Sequence, residues 1–267
     1  MFPLKSTTFP ATATALAAEL NDSLRDLFGL TRDPVTILER SYPHLVSLIV
    51  SLTGAKLPER PPATPSVGTP SEPALTIDAF AVNASPISVG PASVDFQLIA
   101  NHVVLHRAHD RNGQLLLLLH NATDGRVEIS LAVSDLEALI AEVAEAEAGR
   151  HGVNIDGVQL KLRAMDARSL AAEVRLRAKK LFLSATIRIT GQLDLDRELN
   201  ARISGLDCSG QGAIASVACG LLKPHLQKLD GREFSLMSLP LGEVRLRDVR
   251  IAVDDRLSVT AEFGSTS

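Results

Sequence analysis

Aromatic residues are scarce in this sequence: Trp is absent, there is one Tyr, and Phe, Trp and Tyr together make up 3% of the 267 residues. Platforms that stack the bases of single-stranded nucleic acid need aromatic rings. A formal net charge of −4 gives no general affinity for nucleic acid either. The sequence therefore predicts no nucleic-acid partner. Because 45% of the residues are hydrophobic and only 3% are aromatic, the core must be mainly aliphatic.

Cysteine is equally scarce, with only Cys208 and Cys219. Neither lies in a C-x-x-C or metal-binding spacing, and two cysteines do not make a disulfide scaffold. If Cys219 is in a helix, the two are on the order of 14–16 Å apart at ~1.5 Å rise per residue. A disulfide needs Cα atoms within ~7 Å. We predict two free thiols.

Long apolar runs are also missing. The longest, from Leu45 to Leu52, is far shorter than the ~20 residues that cross a bilayer. The first 20 residues lack the compact apolar region of a secretory signal. We expect a soluble, cytoplasmic protein, with peripheral membrane contact left open.

No catalytic motif stands out. Ser209 lacks the G-x-S-x-G context of a nucleophile elbow. His102, His106 and His109 lie in a segment that alternates like a strand, so His109 falls on the face opposite the other two. We therefore predict a non-enzymatic protein without a metal or cofactor. A hydrolase whose residues converge only in space stays open as an alternative.

The first 57 residues have helical features. Residues 13–28 carry an apolar stripe at helical spacing, which ends at Gly29. Asp33-Pro34 pairs an N-cap residue with proline at the first helical position, which predicts a second helix. Residues 58–73 contain six prolines, as expected of a linker. We predict a helical N-terminal segment (1–57), a Pro-rich linker (58–73) and a main domain (74–267).

The main domain has mostly the period-two alternation of half-buried antiparallel strands. Asn112-Gly113 and Asp124-Gly125 separate three such segments and favour tight hairpin turns. Residues 134–137, Ser-Asp-Leu-Glu, have the form of a capping box that starts an acidic helix. Its apolar stripe is Leu136, Leu139, Ile140 and Val143.

The stretch from Leu170 to Leu229 is the centre of this domain. Its apolar parity changes across Lys179 and Lys180, which predicts a bulge, kink or turn there. After a glycine-rich elbow at residues 209–212, apolar residues recur at helical spacing from Ile214 to Leu226. We expect this helix to lie along a curved sheet.

This order of elements resembles the tubular lipid-binding (TULIP) superfamily, in particular bacterial members of unassigned role. The resemblance is carried by Leu131–Leu162, Ile187–Gly212 and Gly231–Phe263 and covers roughly Ala74 to Gly264. It implies an α+β fold in which a long, strongly curved antiparallel sheet wraps around two helices as a half-barrel. It also implies a hydrophobic groove between helix and sheet that holds acyl chains.

An aliphatic interior that is poor in aromatic residues suits a flexible apolar ligand, independently of the resemblance. The residues that would line such a groove are Leu160, Leu162, Val174, Leu176, Leu183, Ile187, Ile214, Val217 and Leu221. The alternative for each is that it closes a dry core.

The segment from Val158 to Thr190 is basic, with eight Lys or Arg against two Asp or Glu. A solvated sheet face explains this composition. The alternative is contact with anionic headgroups, an anionic membrane surface or a partner. The candidate contact residues are Arg175, Arg177, Lys179 and Lys180.

Two non-enzymatic functions remain. One is binding of a lipid or another long apolar ligand. The other is a structural module with a filled core, whose N-terminal helices within residues 1–57 dock a protein partner. They differ in whether an elongated cavity runs beneath the helix from Ile214 to Leu226.

Overall fold

The computed structural model describes residues 2–57, 66–150, 152–180, 183–238 and 244–265. The chain is mainly β, with 59% strand. The elements are β1 (Phe2–Pro3), α1 (Ala13–Phe28), β2 (Val35–Ser41), β3 (His44–Ser51), β4 (Glu72–Val89), β5 (Ala92–His109), β6 (Leu115–Asn121), β7 (Asp124–Ala132), α2 (Val133–Gly149), β8 (Asn154–Asp166), β9 (Ser169–Lys180), β10 (Leu183–Leu195), β11 (Asn200–Gln211), α3 (Ala213–Leu229), β12 (Glu233–Ser235), a 3-10 turn (Leu236–Ser238), β13 (Val244–Val253) and β14 (Arg256–Ser265).

The larger sheet contains nine of the described strands. Its order is β13-β14-β7-β5-β4-β3-β2, with β6 paired to β5 and β1 paired to β6. The pair β3–β4 is parallel, and the other described strand pairs of this sheet are antiparallel. The 18-residue strand β5 pairs with β7 along its first half and with β6 along its second half. One long strand therefore supports two shorter ones.

Helix α1 forms where the sequence pattern predicts it, and it packs against the larger sheet. The Thr12 hydroxyl accepts a hydrogen bond from a first-turn amide, and Gly29, at φ 63°, ends the helix in the left-handed conformation. Leu16, Leu20 and Leu24 are buried on one stripe. They belong to the core that fills one side of the sheet.

The prediction of a second helix from Asp33-Pro34 is wrong. Strands β2 and β3 occupy this segment and form a hairpin. Strand β3 pairs with β4, and this non-local pairing overrides the local proline signal. Residues on both sides of the predicted linker therefore lie in one sheet. Residues 58–65 of that linker lie outside the described residues, and the domain division stays a prediction.

The smaller sheet has the order β12-β11-β10-β9-β8 and is antiparallel throughout. Lys180 is the last residue of β9 and pairs with Leu183, the first of β10. The parity change at Lys179 and Lys180 therefore marks a hairpin, which confirms the predicted turn. The described chain forms an α+β fold with two open sheets, where the sequence predicted a single long one.

Helix α2 bridges the two sheets through its acidic first turn. The predicted capping box is wrong, because the N-cap is Ala132 and no side chain caps the helix. Asp135 instead accepts a hydrogen bond from the Ser93 amide of the larger sheet at 3.0 Å. Glu137 accepts one from the Leu160 amide of the smaller sheet at 2.6 Å. The two carboxylates satisfy tertiary donors rather than their own helix.

The sheets also meet at a separate apolar cluster. The Ile251 amide donates to the Ala167 carbonyl at 2.7 Å, and the Arg168 guanidinium donates to Asp248 at 2.6 Å. Hydrogen bonds from Arg250 and Arg168 hold the pKa of the Asp248 carboxyl below its usual range. The buried residues of the cluster are Leu195, Leu199, Ala201, Val249 and Ile251.

Asn21 fastens α1 to the sheet. It is 8% exposed, and its side-chain oxygen accepts a hydrogen bond from the Val35 amide at 2.8 Å. Because Asn21→Ala leaves that buried donor without a partner, we expect the free energy of unfolding to fall by about 1–3 kcal/mol. Chemical denaturation measures this change.

The control for Asn21→Ala is Thr14→Ala, at an exposed position of the same helix. Its free energy of unfolding is expected to stay within about 0.5 kcal/mol of the original value. Equal stability of the two variants would contradict the role given to Asn21.

Candidate functional site

An apolar groove of about 1190 Å³ lies between helices α2 and α3. Strands β9 and β10 form its floor, and the two helices form its walls. Val153 and Ile155 border the groove where the chain leaves α2 for β8. The floor residues are Val174, Leu176, Ala178, Ile187 and Ile189.

The strand alternation puts these aliphatic side chains on one face. Leu176 lies opposite Ile187, and Val174 lies opposite Ile189. Successive side chains of a strand point to opposite faces, so the residues between them project away from the groove. The sequence pattern thus places the apolar side chains toward the helices.

The positions of the helices explain why the groove stays open. Helix α2 packs on β8, and α3 packs mainly on β11. These two strands are three strand spacings apart, which is about 14 Å. Helices in contact lie about 8–10 Å apart. The helices therefore leave a gap over part of β9 and β10, although Leu176, Ala178 and Ile187 of the floor are buried.

The walls expose apolar side chains to this space. Val143 of α2 is 70% exposed, and Val217 of α3 is 65% exposed. No residue of α2 is buried, although a helix in a globular protein normally buries its apolar stripe. An exposed apolar surface of this kind is typical of a site that binds a ligand or a partner.

Ionisable groups are rare in the described lining, which contains only Glu147 and His225. Arg150 donates a hydrogen bond to the Glu147 carboxylate at 2.7 Å. The same lining residues include no Ser, Thr, Cys, Asp or Lys. The described lining is therefore almost entirely aliphatic.

The structure places four of the nine predicted lining residues in the groove: Val174, Leu176, Ile187 and Val217. Leu160 and Leu162 do not line it. Leu160 is buried, and its amide is bonded to Glu137 in the first turn of α2.

The side chains of the other three predicted lining residues, Leu183, Ile214 and Leu221, lie outside the described residues. Sequence reasoning also missed the α2 wall, although the helical stripe of Leu139, Ile140 and Val143 was visible. The sequence pattern does not indicate that α2 packs at one edge of the smaller sheet.

The opposite face of the floor carries the predicted basic residues. Arg177 and Lys179 are exposed there, and the Lys180 side chain lies outside the described residues. Glu173 accepts hydrogen bonds from Arg175, at 2.6 Å, and from Arg188. Burial raises the pKa of the Glu173 carboxyl, but these two hydrogen bonds lower it by a larger amount. The pKa therefore lies below its usual range. One carboxylate thus offsets two arginines of this face.

The prediction of free thiols is wrong, because Cys208 and Cys219 form a disulfide with Cα atoms 5.4 Å apart. The prediction assumed a path that rises steadily along a helix. The chain instead reverses at Gly212, where φ is 96°, and α3 runs back over β11. Gly210 permits this approach, since a Cβ there would lie 2.6 Å from the Ala215 Cβ.

Comparisons with protein-family models, with curated proteins and with solved structures found no match for this chain. Within the described residues, no helix has the length and apolar character needed to cross a bilayer. The same residues contain no group of three His, Cys, Asp or Glu that could hold a metal ion. Function is therefore inferred from the groove itself.

The disulfide predicts a simple labelling result. Iodoacetamide applied to the denatured, unreduced protein should add no label, because neither thiol is free. After reduction the same treatment should add two labels, and intact mass spectrometry counts them. Peptide mapping of the unreduced protein should recover Cys208 and Cys219 in one linked species. Labelling of both cysteines without reductant would contradict the pairing.

Proposed function

We propose that the protein binds a lipid or another long apolar ligand, without catalysis, in the groove between α2, α3 and the β9–β10 floor. The observation that carries this proposal is an open apolar space of about 1190 Å³. Small-molecule pockets usually measure about 300–1,000 Å³. The groove therefore suits a ligand larger than a typical small metabolite.

The energetics of the groove favour a long apolar body. Each buried methylene contributes about 0.8 kcal/mol, whereas association costs about 4–15 kcal/mol. A ligand must bury on the order of ten methylenes before binding becomes favourable, taking a cost near the middle of that range. Acyl chains meet this requirement, and short metabolites do not.

The arrangement of α2 and α3 on an antiparallel sheet supports a relationship to the TULIP superfamily, which we include in the proposal. Two features differ from the expected half-barrel: the strands form two sheets, and a third helix, α1, packs on the larger one. The proposed ligand position, between helix and sheet, is the one the resemblance implies.

Contact with anionic headgroups or an anionic membrane surface remains part of the proposal. Arg175, Arg177 and Lys179 supply positive charge on the outer face of the smaller sheet, and each basic residue near an anionic surface contributes about 1 kcal/mol. The disulfide favours an oxidising compartment over the cytoplasm predicted from the sequence, because disulfides persist mainly where thiols are not kept reduced.

The rival function, docking of a protein partner through N-terminal helices, has less support. The one helix described in residues 2–57 buries Leu16, Leu20 and Leu24 against its own sheet. Its apolar stripe is therefore occupied within the chain. On α2 and α3, by contrast, Val143 and Val217 are exposed beside the groove.

Val217→Arg tests the groove. The side chain is 65% exposed, so the substitution should leave the fold intact, yet it places a guanidinium against an apolar ligand. We expect the Kd for N-phenyl-1-naphthylamine, an uncharged apolar fluorophore, to rise at least tenfold in a fluorescence titration. Organic extraction and mass spectrometry of the purified wild-type protein should recover a co-purified lipid.

The matched control is Ser216→Arg, which adds the same charge at the adjacent exposed position, outside the groove lining. It should bind the fluorophore like the wild type. The groove proposal is wrong if the wild type takes up neither the fluorophore nor oleate nor a dioleoyl phospholipid. A search for a protein partner of residues 1–57 would then follow.

A further inference from the structure

Helix α3, one wall of the groove, is held by small side chains. Among its described side chains only Ala215 is fully buried, and an alanine methyl buries much less apolar area than a leucine or valine side chain. Gly212 provides no side-chain cap at the start of the helix. Pro224 lies inside the helix and removes one of its hydrogen bonds. Packing by the described side chains therefore anchors this wall weakly.

Near the other end of α3, a polar contact holds the chain. The Leu206 amide donates to the Asp230 carboxylate at 3.1 Å, and the Gly231 amide donates to the Ile203 carbonyl at 2.7 Å. These bonds fix the C-terminal end of the wall. The half of α3 that begins at Gly212 depends on other attachments.

The disulfide supplies that attachment at the middle of the groove. Cys219 lies within one helical turn of each of the lining residues Val217, Ala218 and Leu222. Cys208 pairs in the sheet with Ile189, which lines the floor. The bond therefore joins the wall to β11, the strand next to the floor, directly beside the site. Both cysteines are only half-buried, so a reductant can reach them.

We propose that the Cys208–Cys219 disulfide is a redox-sensitive latch: it holds the α3 wall over the groove, and its reduction releases the bound apolar ligand. This inference rests on the proposed function, since it concerns the regulation of the same groove. Once the bond is broken, the first half of α3 loses its covalent attachment to β11 and moves away from the floor. Local opening of this kind is drawn from the least stable parts of a fold.

The chemistry is an ordinary thiol–disulfide exchange with a dithiol reductant. One thiolate of the reductant attacks a sulfur of the pair, forms a mixed disulfide and displaces the other cysteine as a thiolate. The second thiol of the reductant then resolves the mixed disulfide. Two electrons and two protons pass to the protein, which gains two thiols, and the reductant leaves as its own disulfide. The groove thus holds ligand in an oxidising compartment and releases it in a reducing one.

The test compares oxidised protein, protein reduced with dithiothreitol, and the variant Cys208→Ser/Cys219→Ser. We expect the oxidised wild type to bind N-phenyl-1-naphthylamine at least tenfold more tightly than the reduced wild type and the variant. Hydrogen exchange should be at least tenfold faster in the first half of α3 for the two forms that lack the bond. Dithiothreitol should not change binding by the variant, which controls for effects of the reductant itself.

Exchange in α1 and in the larger sheet reports whether the variant folds. If those regions lose protection, Cys208→Ala/Cys219→Ala, which introduces no buried hydroxyl, takes its place. Equal fluorophore binding by oxidised and reduced protein would overturn the latch and leave the proposed function intact. Absence of binding even in the oxidised form would instead reject the proposed function, and the latch with it.

Discussion

The distance between the two strands that carry α2 and α3 determines whether a groove remains between the helices. Strands β8 and β11 are three spacings apart, about 14 Å, and packed helices need 8–10 Å. Two helices seated on these strands therefore leave an open space over part of β9 and β10, although the floor residues Leu176 and Ile187 are themselves buried. The aliphatic floor, the exposed valines of both walls and the open groove all follow from this mismatch. A third helix between them, or a narrower sheet, would turn the same side chains into a filled core.

Two attachments keep the helices at these positions. On one side, Asp135 and Glu137 accept backbone hydrogen bonds from both sheets, which fixes the start of α2 where the sheets meet. On the other side, the Gly210–Ala215 approach and the disulfide bring α3 onto β11. Neither attachment relies on large buried side chains. Each wall can thus expose its apolar stripe to the groove while staying in place.

Local patterns in the sequence were sufficient for part of this structure. The period-two alternation around Val174 and Leu176 predicts which side chains face the helices, and the parity change at Lys179 marks a hairpin. The stripe and caps of α1 are likewise local. The second predicted helix failed because β3 pairs with β4, and the capping box failed because its acids bind donors far away in sequence. The free-thiol prediction failed because Gly212 reverses the chain, and spacing along a helix does not describe two elements that fold back on each other.

The scarcity of aromatic residues acquires a physical meaning in the groove. The described lining has no aromatic ring apart from the imidazole of His225 and, besides that imidazole, only one ionisable group, so it offers little directional recognition. Such a surface selects ligands by apolar area and by fit rather than by hydrogen bonds. Because the hydrophobic effect is non-directional, release cannot depend on breaking one specific polar contact with the ligand. Under the proposed function, a change in the wall itself can release the ligand, and the covalent bond beside Val217 is an attachment whose state can be changed chemically without altering any residue of the lining.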